Sequence, residues 1–128
     1  MLKLEVIKFK VEIEGKEYTS TVEDKDFDIA LRALIEEAGV FEGESLPDYD
    51  KYDKLTEIIK DFINKTFGDN SFSMMTEGFG ENYQVAMQII NYIFAKREEY
   101  VDTVLKKLEV PKIKTGQKAT SPIVNENV

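Results

Sequence analysis

Apolar and charged residues alternate along the first part of the chain, as they do in a β-strand with one buried face. The phase of this alternation changes between Val6 and Ile7, which is typical of a bulge or of a strand whose halves meet different neighbours. Gly15 permits a tight turn, and the alternation resumes after it. The pattern predicts an antiparallel β-hairpin over residues 2–22.

Four later segments carry apolar residues at helical spacing. The predicted helices span residues 26–38, 48–67, 70–77 and 81–108. Asp24 and Asp26 are typical capping residues before the first helix, and Gly39 and Gly68 are typical residues at helix ends. The last helix is the longest, with a broad apolar face in its first half. We expect it to emerge into solvent at Lys96–Glu99.

The helical spacing stops at Glu109, and two prolines and a glycine interrupt the polar segment that follows. Residues 106–128 carry a net charge of +3, whereas residues 1–105 carry −11. A segment with so few apolar residues does not bury enough surface to offset its ordering entropy. The sequence therefore predicts one globular domain over residues 1–108 and a flexible basic tail over 109–128. The predicted fold class is α+β, mainly α, with the hairpin packed on a bundle of about four helices.

The composition narrows the chemistry that the protein can perform. Its 128 residues include 25 acidic and 17 basic side chains, a net charge of −8, and neither histidine nor cysteine. The chain therefore has no disulfide, no thiol nucleophile, no Ser-His-Asp triad and no histidine metal ligand. We expect a non-enzymatic protein without metal or cofactor. The acidic charge opposes binding to nucleic acid, and the absence of long apolar runs predicts a soluble cytoplasmic protein that does not enter a membrane.

Two short motifs resemble ligand sites but fit structural roles better. The acidic stretch from Glu42 to Asp53 lacks the glycine and the final glutamate of a calcium loop, so we interpret its end as a helix N-terminus. Gly78-Phe79-Gly80 has the first two glycines of a dinucleotide-binding motif but lacks the third. We interpret it as a tight helix connection in which Phe79 fills the core.

The candidate partner-binding residues are methionines and tyrosines of the last two predicted helices. Flexible methionine side chains and amphipathic tyrosines are suited to an adaptable partner surface, although each of them also fits a place in the core. The five candidates are Met74, Met75, Tyr83, Met87 and Tyr92.

The order of motifs in residues 10–105 resembles a known family. A hairpin with an EGKEY turn and a helix come first, then an acidic loop and a second helix ending in Phe67-Gly68. Another Phe-Gly follows at Phe79-Gly80, and Asn82 opens the long final helix. In this order the chain is similar to the small tail assembly chaperones of long-tailed phages (siphoviruses) and prophages of Gram-positive bacteria.

The resemblance implies a protein of the host cytoplasm that coats the long, apolar tape-measure protein until tail-tube subunits polymerise around it. Its partners would be the tape-measure and tail-tube proteins. Two alternatives stay open: an acidic inhibitor that mimics nucleic acid, and a structural tail or connector component of the virion. Mixed-sign helix faces disfavour the mimic. The sequence leaves the oligomeric state open.

Overall fold

The computed structural model describes residues 1–39 and 48–108 of the chain. It confirms the predicted α+β fold: one antiparallel two-stranded hairpin at the N-terminal end and a mainly helical remainder with four α-helices. The predicted tail at 109–128 and the acids Glu42 and Glu44 lie outside the described residues.

The elements follow one another in the predicted order. The strands are β1 (Lys10–Ile13) and β2 (Lys16–Thr19), and the helices are α1 (Asp24–Gly39), α2 (Tyr49–Phe67), α3 (Ser71–Met75) and α4 (Tyr83–Tyr100). A π-helical turn, Val101–Leu105, and a 3₁₀ turn, Lys106–Leu108, follow α4. The helix predicted over 81–108 is therefore α-helical only as far as Tyr100.

The hairpin is much shorter than the predicted range of 2–22. Glu14 and Gly15 connect its strands with φ angles of 51° and 78°, as a type I′ turn requires at both central positions. After β2 the chain turns away, because the backbone N–H of Thr21 donates to the carbonyl of Thr66 at the end of α2. No described strand lies opposite residues 2–8, so they stay unpaired.

Local hydrogen bonds define both ends of α2, whereas α1 begins at Asp24, so that Asp24 and Asp26 lie in its first turn rather than before it. The Asp48 carboxylate accepts hydrogen bonds from the backbone N–H groups of Asp50 and Lys51 at 3.1 and 3.2 Å, which caps the start of α2. Gly68 ends α2 at a φ of 109°, and its N–H donates to the Asn64 carbonyl. The predicted boundaries of this helix are confirmed to within one residue.

The core joins the hairpin to three of the helices through aromatic rings. Phe9 packs on Phe27 of α1 with ring centroids 5.0 Å apart, and Phe27 packs on Phe62 of α2 at 5.5 Å. Phe9 also lies 5.3 Å from the Tyr100 ring at the end of α4. The helical spacing of the sequence correctly predicts that Phe62 and Ile90 are buried.

Arg97 is buried, contrary to the prediction that α4 emerges into solvent at Lys96–Glu99. Only 3% of its surface is exposed. Its Nε lies 3.1 Å from Oδ1 of Asp28, and its Nη1 lies 3.2 Å from Oδ1 of Asp24, so it joins α4 to the start of α1. The guanidinium carbon lies 4.6–5.1 Å from the centres of three rings: Phe9, Phe27 and Tyr100. Paired charge and aromatic faces together make burial of this cation tolerable.

Candidate partner-binding groove

An apolar groove lies between the tip of the hairpin, the end of α3 and the first half of α4. Its volume is about 270 Å³. The residues that line it are Glu12, Ile13, Glu14, Met75, Phe79, Val85, Gln88, Ile89 and Tyr92.

One face of α4 forms a wall of this groove. Val85, Ile89 and Tyr92 recur at the spacing of a single helix face, and they lie beside the fully core-facing positions Ala86 and Ile93. The apolar face of α4 is thus wider than the core requires. The apolar surface of Val85 and Tyr92, which are both half-buried, is not fully covered by the core and forms part of the groove.

Phe79 is exposed, which corrects the prediction that it fills the core. Its backbone N–H and that of Gly80 both donate to the carbonyl of Thr76, at 2.9 and 3.1 Å, and Gly78 and Gly80 adopt positive φ angles of 86° and 90°. This tight turn directs the ring outwards, where 56% of the residue is exposed beside the groove. The predicted role of the two glycines in a tight connection is confirmed.

Three of the five candidate residues belong to α3 or to the groove-facing side of α4. Met75 is only 3% exposed, so it is a core residue that forms the floor of the groove rather than a free contact surface. Tyr92 is half-buried and lines the groove. Met74 is 50% exposed but is not part of the lining.

The other two candidates, Tyr83 and Met87, lie on a different side of α4. At 3.6 residues per turn, Met87 and Tyr92 are about 140° apart around the helix axis. Tyr83 stacks on Tyr52 of α2, with ring centroids 4.3 Å apart and an interplanar angle of 5°. Met87 is half-buried and packs against the core. The structure therefore does not bring the five candidates together in one site.

A polar clamp fixes the connection that carries Phe79. Glu81 accepts hydrogen bonds from Lys60 Nζ of α2 at 2.9 Å and from Ser73 Oγ of α3 at 2.7 Å. Both hydrogen bonds lower the pKa of Glu81, the one from Lys60 more than the one from Ser73. The hydrogen bond between Lys60 and Glu81 also raises the pKa of Lys60. The exposed ring of Phe79, two residues before Glu81, is thus held on an anchored turn.

The groove is suited to apolar side chains of a partner rather than to a small ligand. Pockets for small molecules enclose most of the ligand, whereas this groove is open to solvent. Two carboxylates, Glu12 and Glu14, flank its apolar wall, and no Ser, Thr, Lys or Arg is among its described lining residues. Within the described ranges no three acidic residues come together as a metal site.

Seven of the nine groove residues were not among the candidates, and Phe79 and Val85 are the two that matter most for an apolar contact. A sequence signal was present for Val85, since it widens the apolar face of the last helix beyond a normal core stripe. For Phe79 the sequence signal is ambiguous, because flanking glycines permit an inward as well as an outward ring.

Comparison of the chain with protein-family models, with curated proteins and with solved structures gave no match. No helix within the described residues is long and apolar enough to cross a membrane.

Proposed function

We propose that this protein is a tail assembly chaperone of a long-tailed phage or prophage, acting without enzymatic chemistry in the bacterial cytoplasm. In this function it binds the tape-measure protein and releases it as tail-tube subunits polymerise. The observation that carries the proposal is the apolar groove of α4 and the hairpin, with the exposed Phe79 ring at its edge. The motif order of residues 10–105 supports it independently.

The groove matches a client made of amphipathic helix. Such a helix is recognised by laying apolar side chains, three or four residues apart, into a groove on its partner. Phe79 and Tyr92 provide aromatic contact surface in the groove, and buried Met75 is also part of its lining. Glu12 and Glu14 lie where basic residues beside the client's apolar stripe would meet them.

The surface charges favour this proposal over the nucleic-acid mimic. A mimic needs uninterrupted rows of carboxylates, but here carboxylates on several elements pair with lysines. Within the hairpin, Lys10 Nζ lies 3.6 Å from Glu17 Oε2, and Lys16 Nζ of β2 lies 3.6 Å from Glu77 Oε1. Lys10 and Lys16 place positive charges among the carboxylates of the hairpin, so its surface carries both signs. Inhibition of nucleic-acid enzymes is therefore not part of the proposed function.

Affinity capture from cells in which the phage or prophage is induced tests the proposal. The tagged protein and two serine variants are captured, and co-purifying proteins are identified by mass spectrometry. Phe79→Ser removes an apolar residue of the groove, whereas the control Ile35→Ser removes one of similar exposure, 53%, from α1. We expect the wild type and the control to recover the tape-measure protein, and Phe79→Ser to recover about tenfold less, as loss of an aromatic anchor implies.

Each alternative predicts a different result. Recovery of a host nuclease or DNA-binding protein without any tail component supports the mimic. Presence of the chain in purified virions supports a structural component, because an assembly chaperone leaves before the particle is finished. Full recovery of the tape-measure protein by Phe79→Ser contradicts the assignment of the groove as the client site.

A further inference from the structure

The segment before β1 exposes apolar side chains that nothing in the described chain covers. Leu2, Leu4 and Val6 are 81%, 87% and 83% exposed. Among the described residues, the backbone of residues 2–8 accepts one hydrogen bond, from the Tyr100 hydroxyl to the Ile7 carbonyl at 3.0 Å. A segment with strand alternation and unpaired backbone groups is a template for pairing with another strand.

The root of this segment is firmly fixed. Phe9 is 2% exposed, and its carbonyl accepts a hydrogen bond from the backbone N–H of Ser20 at 2.8 Å. Together with the bond from Tyr100 to Ile7, this contact anchors the segment where it leaves the core. The apolar side chains are therefore presented from an anchored base.

The segment is complementary to itself in one antiparallel register. When Leu4 lies opposite Leu4 of a second copy, Leu2 lies opposite Val6, and Lys3 lies opposite Glu5. Residues directly opposite each other share a face of the ribbon. One face then carries only apolar pairs, and the other carries two pairs of opposite charge.

Other registers oppose like charges or mix the faces. Centring the antiparallel pair on Glu5 brings the two Glu5 carboxylates together, and centring it on Lys3 brings the two ammonium groups together. A shift of one residue places Leu4 against Glu5. Parallel in-register pairing opposes both Lys3 with Lys3 and Glu5 with Glu5. Neither Lys3 nor Glu5 forms an ion pair within the described residues, so both charges are free for the favoured register.

We propose that residues 2–6 form an intermolecular antiparallel β-ribbon with the same residues of a second copy of this chain, with Leu4 on the two-fold axis. The interface is isologous, as in most symmetric dimers, because one surface patch serves both copies. None of residues 2–6 lines the groove, so the interface and the proposed client site share no residue.

Charge reversal at the paired positions tests the register. The molecular mass is measured by analytical ultracentrifugation at protein concentrations up to about 1 mM. At that concentration a dimer with a dissociation constant as weak as about 1 mM is still detected. The wild type should rise from the monomer mass of 14.7 kDa towards twice that value. Lys3→Glu and Glu5→Lys should each stay monomeric, because like charges then face each other. The control Lys8→Glu makes the same charge change as Lys3→Glu outside the register, and it should dimerise like the wild type.

Mixing the two monomeric variants provides the decisive measurement. In a heterodimer of the Lys3→Glu chain with the Glu5→Lys chain, both positions again oppose unlike charges, so the mixture should recover the dimer mass. At a dilution where the wild type is monomeric, all four proteins should melt alike, because the substituted side chains are exposed. A wild type that stays monomeric, a dimer that survives Lys3→Glu, or a mixture that fails to associate would overturn the proposal.

Discussion

Replacing Arg97 by methionine should lower the free energy of unfolding by about 1–3 kcal/mol. The substitution keeps most of the side-chain volume but removes the charge, the hydrogen bonds to Asp24 and Asp28, and the cation–π attraction to three aromatic rings. A cation–π contact of a desolvated cation contributes up to ~2 kcal/mol. The ion pairs add less, about 1 kcal/mol or below, because the aspartate side chains are 40% and 38% exposed and regain water.

For other buried cations an apolar replacement can leave the free energy of unfolding unchanged or raise it, so the sign of the measured change is informative. Apolar replacement of a buried ion pair is often neutral or stabilising, since it removes the cost of desolvating both charges. Here only the arginine is strongly desolvated, at 3% exposure, while its carboxylate partners keep contact with water. The compensating contacts of Arg97 should therefore exceed its desolvation cost.

Urea-induced unfolding followed by circular dichroism measures the effect, provided that the m-value is unchanged. Arg32→Met is the matched control, because Arg32 of α1 is exposed and forms no ion pair within the described chain. It should change the free energy of unfolding by less than ~0.5 kcal/mol. A double-mutant cycle of Arg97→Met with Asp28→Asn should give a coupling of about 0.5–1 kcal/mol. An Arg97→Met protein as stable as the wild type would refute the reasoning.

Three further predictions concern stability. Ile90→Ala should lower the free energy of unfolding by ~2–5 kcal/mol in the same urea assay, because Ile90 is 2% exposed and truncation leaves a cavity; a wild-type-like curve would contradict the assigned helix register. Gly68→Ala should cost ~1–3 kcal/mol in thermal unfolding, since a φ of 109° and a ψ of 160° suit glycine alone, whereas the control Gly39→Ala, without positive φ, should be near neutral. Glu81→Gln should lower the melting temperature at pH 7 more than the control Glu77→Gln. Because folding lowers the pKa of Glu81, its carboxylate stabilises the fold above pH 4.5, the ordinary pKa of glutamate, and this stability is lost as the pH falls through the lowered pKa of the folded state. The difference in melting temperature between Glu81→Gln and the wild type should therefore disappear in acid. A difference in melting temperature that does not change with pH would contradict the clamp.

Features set by neighbouring residues could be predicted from the sequence, and features set by distant contacts could not. The start of α2 depends on the Asp48 side chain and its end on Gly68, so its boundaries follow from local chemistry. The burial of Arg97 depends on Asp24, 73 positions earlier in the chain, and on the distant rings of Phe9 and Phe27. In a single sequence an arginine beside Lys96 and Glu98 has the appearance of an exposed charge.

The candidate site was predicted only in part for the same reason. Met75 and Tyr92 share the groove, but the choice of five residues by type combined two sides of α4. The angular spacing of Met87 and Tyr92 was sufficient to separate them. The stacking of Tyr83 on Tyr52 required the packing of α4 against α2, which the sequence does not give directly.

The contacts of Tyr100 and Arg97 connect the two ends of the described chain, and this has a consequence for biosynthesis. Tyr100 reaches Ile7 across 93 positions, and Arg97 reaches Asp24 across 73. While the ribosome is still making α4, Phe9 and Phe27 have neither the guanidinium nor the tyrosine ring to pack against. We expect a nascent chain, or a product of premature termination before residue 97, to keep only the contacts of these rings with each other and with α2, and so to be more accessible to proteases than the full chain.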